Sequence, residues 1–182
     1  MPMRSRIVLG LIFAAWVSMQ ALAFAEDGLP ASVQARAGTP LQRVGEGTYR
    51  KFGFSIYHAV LWAPDGRWNP DRPYALMLHY LRSLSKDTLA DSIVDDIRDQ
   101  NATDEETMTR WTAGIKKMMP EVEDGDVMTG LIVPNKESLL FLNGIQIAKI
   151  EDNALSKAFF NIWLGKDADE DLKHELLGQK TE

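Results

Sequence analysis

Apolar residues recur along this chain at spacings of two in some stretches and of three to four in others, and that change of period separates strands from helices. Over residues 52–62, Phe52, Phe54, Ile56, Val60 and Trp62 fall on one side of an extended segment, with His58 in their row. Gly53, Ser55, Tyr57, Ala59 and Leu61 fall on the other side, which is less apolar and carries the one large polar-tipped ring, Tyr57. Residues 41–44 predict a short first strand, stopped by Gly45 and Gly47. Residues 74–81 are apolar on both sides, as in a central strand covered above and below. Residues 127–133 predict another strand. Residues 138–142 and 145–150 predict a hairpin, whose Asn143-Gly144 supplies the two positive φ angles of a type I′ turn.

Helical spacing takes over between and after these strands. Ser85 is placed to cap a helix in which Leu89, Ile93 and Ile97 recur every four residues, with Asp87, Asp91, Asp95 and Asp99 elsewhere on the cylinder. Thr103 and Glu106 form a capping box for a second helix, with Met108, Trp111, Ile115 and Met118 on one stripe and Pro120 at its end. After Asp152, a third helix turns Leu155, Ala158, Phe159, Ile162 and Trp163 inward and is stopped by Gly165, and residues 169–177 form a short last helix. Residues 26–40 are rich in Ala, Gly and Pro without a period, and read as a loose N-terminal leader; residues 178–182 read as a C-terminal tail. No repeat or linker interrupts residues 41–177, so the pattern predicts one α+β domain.

The first 25 residues carry a different signal. Arg4 and Arg6 precede an apolar run over residues 7–19, and Ala23-Phe24-Ala25 supplies small residues at −3 and −1 of a cut before Glu26. This is the pattern of a signal peptide over residues 1–25, predicting an exported, periplasmic protein. The run is shorter than the roughly 20 residues of a membrane span, so no stable membrane insertion is expected after cleavage. Losing two arginines takes the formal charge from −6 to −8. The remaining bases are scattered, which argues against a nucleic-acid partner. Among the 182 residues there is no cysteine, which excludes disulfides, thiolate nucleophiles and Cys-ligated metals. His58, His79 and His174 lie far apart with no metal-binding spacing, and residues 121–126 fail the calcium-loop spacing. No nucleotide-binding or nucleophile motif is present, so no cofactor, metal or catalytic residue is assigned. Asn101-Ala102-Thr103 fits the glycosylation tripeptide.

Several phrases, in their order and spacing, carry a resemblance. They are Val44-Gly-Glu-Gly-Thr-Tyr-Arg-Lys-Phe-Gly-Phe-Ser-Ile-Tyr-His-Ala-Val-Leu-Trp62, Leu78-His-Tyr-Leu-Arg-Ser-Leu-Ser85, Gly125-Asp126, Phe141-Leu-Asn-Gly144 and Asn153-Ala-Leu-Ser-Lys-Ala-Phe-Phe-Asn-Ile-Trp-Leu-Gly165. Over residues 41–177 the chain resembles the chalcone isomerase-like family, in its bacterial exported branch. The resemblance implies an open-faced β-sandwich, an antiparallel sheet covered by a layer of helices, with a cleft between them for a flat or elongated apolar ligand. Plant members of the family close a ring on an enone, using an arginine to steady negative charge and a threonine, a tyrosine, an asparagine and a small hydroxyl residue to assist. Other plant members bind fatty acids or act as non-catalytic partners.

Carried over residue by residue, the arginine position falls on Tyr49, with Arg50 beside it. The threonine falls on Tyr57, the tyrosine on Leu89, the asparagine on Asp96 and the last hydroxyl on Ile162. A phenol with a pKa near 10 is a poor substitute for a permanent cation, and Leu89 and Ile162 cannot donate a hydrogen bond. The resemblance therefore implies a protein without chalcone isomerase activity. It binds a small apolar or amphipathic ligand, such as a fatty acid, in a cleft of Tyr49, Arg50, Tyr57, Leu89, Asp96 and Ile162, with Arg50 as carboxylate anchor. Two alternatives stay open. One is an isomerase or lyase on another substrate, with Tyr49, Tyr57 and Asp96 as acid–base groups. The other is an envelope interaction module recognising a protein partner, anchored by Trp68.

Overall fold

The computed structural model describes residues 28–100 and 103–179. The expected signal peptide, residues 101 and 102 of the glycosylation tripeptide and residues 180–182 of the tail lie outside the described residues. Six strands form one antiparallel sheet in chain order: β1 (Gln42–Lys51), β2 (Phe54–Ala63), β3 (Tyr74–Tyr80), β4 (Val127–Val133), β5 (Glu137–Leu142) and β6 (Ile145–Lys149). Tight turns impose the order. Phe52-Gly53 joins β1 to β2 with φ of 52° and 80°, and Asn143-Gly144 joins β5 to β6 with φ of 49° and 77°. The pairs of positive φ match the right-handed twist of the flanking strands.

Four helices cover one side of the sheet: α2 (Lys86–Gln100), α3 (Glu105–Met118), α4 (Asn153–Leu164) and α5 (Glu170–Leu176). On the other side lies α1 (Ala31–Ala37), whose Val33 and Ala37 pack against Ala75, Leu131, Leu139 and Phe141. The layered α+β architecture agrees with the expected open-faced sandwich. Among the described residues no helix is long and apolar enough to cross a membrane.

Three local expectations are corrected. Residues 31–37 are a helix within the span read as a loose leader, because two small apolar residues four apart suffice to seat a short helix on a flat sheet face. Gly45 and Gly47 do not end the first strand; they lie inside it, under α5. A Cβ on Gly45 would sit 2.2 Å from the Glu175 carbonyl oxygen, so these glycines admit a helix rather than break a strand. The α3 cap is Asp104, which accepts from the Thr107 amide at 2.8 Å, one residue past the expected Thr103. Ser85 caps α2 as expected, accepting from the Thr88 amide at 3.2 Å.

The sides of β2 hold the most useful difference. The less apolar row, Tyr57, Ala59 and Leu61, faces the larger core beneath the helices. Small side chains there leave depth for the large rings of α4. The same logic operates on β4, where a Cβ on Gly130 would stand 2.6 Å from the Phe160 ring. Trp68 is half-buried, edge-on to Tyr74 at 6.0 Å, and so is not the exposed anchor the interaction reading requires.

These close approaches predict opposite effects for two glycines. Gly45→Val should unseat α5 and lose burial of Leu172 and Leu176, costing about 3 kcal/mol or more in urea denaturation. Gly114→Ala in α3, where the new methyl meets only Leu155 at 4.0 Å, should gain up to about 1 kcal/mol from helix propensity. A destabilised Gly114→Ala or an unchanged Gly45→Val would contradict the packing described.

Candidate functional site

Tyr49 on β1 and Tyr57 on β2 are cross-strand partners whose rings stack on the helix side, centroids 5.1 Å apart and planes 19° apart. Tyr80 on β3 pairs with Tyr57 in turn and meets it edge-on at 6.0 Å. Three adjacent strands thus set three phenols in a row. Above them, α4 lowers Trp163, whose indole N–H donates to the Tyr57 hydroxyl at 2.9 Å. The buried indole is satisfied by this bond, and the bond keeps Tyr57 upright in the wall.

The row of phenols borders a cavity of about 310 Å³ between sheet and helices. Leu78 and Met128 form its sheet side, Leu89 and Ile93 its α2 side, and Lys51 and Asp96 are polar groups on its boundary. Ile56 joins the wall because of a bulge. β1 advances one residue from Tyr49 to Arg50 while β2 advances two, from Tyr57 to Ser55, leaving Ile56 as the extra residue. A second hollow of about 130 Å³ shares Tyr49, Tyr57, Asp96 and Trp163 with the first and continues to Gln100, Ile162, Asp167 and Asp169.

Burial dominates the electrostatics. It pushes the Tyr57 phenol well above its ordinary pKa, with Trp163 opposing and Tyr49, Tyr80 and Asp96 adding to the rise. Tyr49 is raised by burial and then by the charges of Asp96 and Asp169. Tyr80 is raised by burial alone. Asp96 is raised by burial, opposed by the Lys51 ammonium and reinforced by Asp99 and Asp95. At neutral pH the phenols are therefore uncharged donors and acceptors, not bases. Among the described residues bordering either hollow, Lys51 is the only cation.

Of the residues singled out from sequence, Tyr49, Tyr57, Leu89 and Asp96 border the larger cavity and Ile162 the smaller. Arg50 borders neither. It is exposed and pairs with Ser55 on the side away from the helices, because the bulge lies on β2 and leaves the β1 alternation intact. The cation near the cavity is instead Lys51, two residues beyond Tyr49 on the same side, a position that period two alone identifies. Helical periodicity assigns Trp163 to the core and no more. Its indole nitrogen shows a second role that such a period does not encode. His58 lies on the other side of β2, 3.1 Å from the Thr48 hydroxyl, apart from this site.

Residues 21–178 match the model of a family described as chalcone isomerase-like. The chain belongs to that family. No curated protein matches it. Among solved structures, it is similar to the crystal structure of a fatty-acid binding protein from Arabidopsis thaliana, at 11% identity and a TM-score of 0.56, over 75% of this chain and 86% of that one. At that identity the likeness is one of fold.

Two measurements test the site's construction. Tyr57→Phe leaves the Trp163 N–H unpaired and should cost about 1–3 kcal/mol. Tyr49→Phe, whose hydroxyl has no hydrogen-bond partner among the described residues, should stay within about 0.5 kcal/mol of wild type. For Asp96, the folded state holds the proton to higher pH than the unfolded chain, so ionisation opposes folding. Asp96→Asn should be more stable than wild type at neutral pH. That advantage should fade as pH falls toward the ordinary carboxylate value of about 4. An Asn variant less stable at neutral pH would contradict the burial described.

Proposed function

We propose that this member of the chalcone isomerase-like family binds a linear amphiphile, such as a fatty acid, and does not isomerise chalcones. The observation that carries the reading is the 310 Å³ cavity, apolar on both its sheet and helix walls, with one ammonium at its boundary. Its size falls at the lower end of small-molecule pockets, which are mostly apolar with a few placed polar groups. A medium-length acyl chain would lie between Leu78, Met128 and Ile93, with its carboxylate near Lys51 and the hydroxyls of Thr88 and Ser92. The similar architecture of the Arabidopsis fatty-acid binding protein supports the same use of the fold.

The site's chemistry argues against ring closure. Preorganised charge facing a developing enolate usually supplies most of the rate enhancement in such catalysis. Here a neutral, half-buried phenol stands at the position carried over for the arginine, and Arg50 points away. The reading includes export to the periplasm within the family's bacterial exported branch, supported by the Arg4/Arg6, apolar-run and Ala23-Phe24-Ala25 pattern.

One observation favours a second reading, an isomerase or lyase on another substrate. Tyr49, Tyr57 and Asp96 border the same hollow, and the Tyr57 hydrogen has no acceptor among the described residues. Loss of a measured turnover in both Tyr49→Phe and Asp96→Asn would promote it.

Calorimetric titration of delipidated protein with dodecanoic acid and dodecanol separates the outcomes. The wild type should bind the acid one to one. Lys51→Glu should weaken the acid about tenfold, worth about 1.4 kcal/mol, and leave the alcohol nearly unchanged. Ser92→Trp, filling the cavity from α2, should abolish both. Binding that survives Ser92→Trp, or no binding to wild type, would overturn the proposal.

A further inference from the structure

The tip of the β1–β2 hairpin carries residues that neither the core nor the cavity uses. Phe52 is 90% exposed and Phe54 58% exposed, and Leu81 beside them is also exposed. Three of the five large exposed apolar side chains among the described residues therefore gather at one corner. Phe52 occupies a turn position with φ of 52°, where Asn, Asp or Gly is the usual residue. A bulky side chain in that conformation strains the backbone, and Phe52 recovers nothing from internal packing. Folding alone does not account for it.

The corner also protrudes. β2 pairs with β3 only from Tyr57 onward, with one further bond from the Leu81 amide to the Ile56 carbonyl. Residues 51–54 therefore project past the neighbouring strand by about three residues, or roughly 10 Å. Its charge is opposite in sign to that of the whole chain. Arg50, Lys51 and Arg82 surround the two rings in a protein of formal charge −6, and the Arg82 guanidinium lies 4.5 Å over Phe54. Acidic residues flank the corner on two sides: Asp96 on α2, which interacts with the Lys51 ammonium, and the loop before β4. On that loop Asp126 bonds Asn143, and the Asp124 amide bonds Ser83. They limit the basic, aromatic corner to the hairpin side.

We propose that this hairpin tip docks the protein on an anionic lipid surface, Phe52 and Phe54 entering the headgroup–acyl boundary and Arg50, Lys51 and Arg82 lying against the headgroups. Apolar aromatic rings beside long basic side chains suit that boundary, where an apolar layer meets a charged one. Charge complementarity and protrusion favour a lipid surface over a protein groove. Lys51 and Ile56 belong both to the tip region and to the cavity wall, so docking would bring the cavity boundary to the source of an amphiphile. The docking itself does not depend on what the cavity holds.

The absence of native cysteine allows a site-specific test on the full chain. Ser55→Cys places a nitrobenzoxadiazole fluorophore at the tip, and Lys136→Cys places one at the opposite end of the sheet. Vesicles of three parts phosphatidylethanolamine to one part phosphatidylglycerol should raise the emission of the tip label several-fold and shift it to the blue, leaving the other label unchanged. Adding Phe52→Ser and Phe54→Ser should increase the lipid needed at least tenfold, and high salt or pure phosphatidylcholine should remove the response. Equal responses from both labels, as an N-terminal attachment would give, would overturn the proposal. So would a silent tip label, the outcome expected if the tip meets a protein instead, or a response insensitive to the two serines. Failure to bind dodecanoic acid would leave all these results unaffected.

Discussion

The indole of Trp163 and the phenol of Tyr57 join the helix layer to the sheet beside a cavity that the two layers leave between them. Over the sheet glycines the contact is direct. Phe160 fills the depression over Gly130, and α5 lies against Gly45 and Gly47. At Trp163 the contact is a hydrogen bond between two polar tips that packing largely removes from water, so that each is satisfied by the other. Tyr57 is therefore held in the wall instead of collapsing across the gap. Tyr49 and Tyr80 brace it from both neighbouring strands. The cavity is what remains beside this aromatic post.

From that constraint follows the site's character. Rings packed against rings desolvate their hydroxyls, so the phenols stay protonated, and the half-buried Asp96 holds its proton more tightly than usual. What faces the cavity is apolar surface with neutral phenol and hydroxyl tips, and Asp96 and the Lys51 ammonium stand at the boundary. Such a wall suits an acyl chain whose polar head lies at the boundary. It does not place a fixed positive charge where an enolate would form, and removing one well-placed donor of that kind typically costs about a hundredfold to a thousandfold in rate.

Much of the architecture was legible in the chain itself. Period-two rows, the Asn143-Gly144 turn, the Ser85 cap and the α4 stripe all specify local structure, and they recur where they were expected. What sequence periodicity could not supply was depth. Ala59 and Leu61 belong to the less apolar row of β2, yet they face the larger core, because small residues make room for rings arriving from α4. Gly45 and Gly47 look like strand breakers until α5 is in place. The Ile56 bulge is equally silent. It depends on how β2 pairs with β1 and not on any residue's propensity, and it decides that Ile56 enters the wall and Arg50 does not. Lys51 was within reach of simple alternation from Tyr49. Periodicity puts Trp163 on the right side of its helix, but a hydrogen bond across 106 residues of chain leaves no periodic trace.

If a chain-like molecule occupies the space beside the Trp163–Tyr57 pair with its polar end outward, its two ends must meet different residues. Intermolecular nuclear Overhauser effects from carbon-13-labelled dodecanoic acid to the side-chain protons of the protein read both ends at once. Contacts are expected from the terminal methyl to Met128, Leu78 and Ile93, and from the carbons next to the carboxylate to Lys51. Contacts confined to surface methyls such as Ile145, or a labelled acid that gives none, would refute that placement.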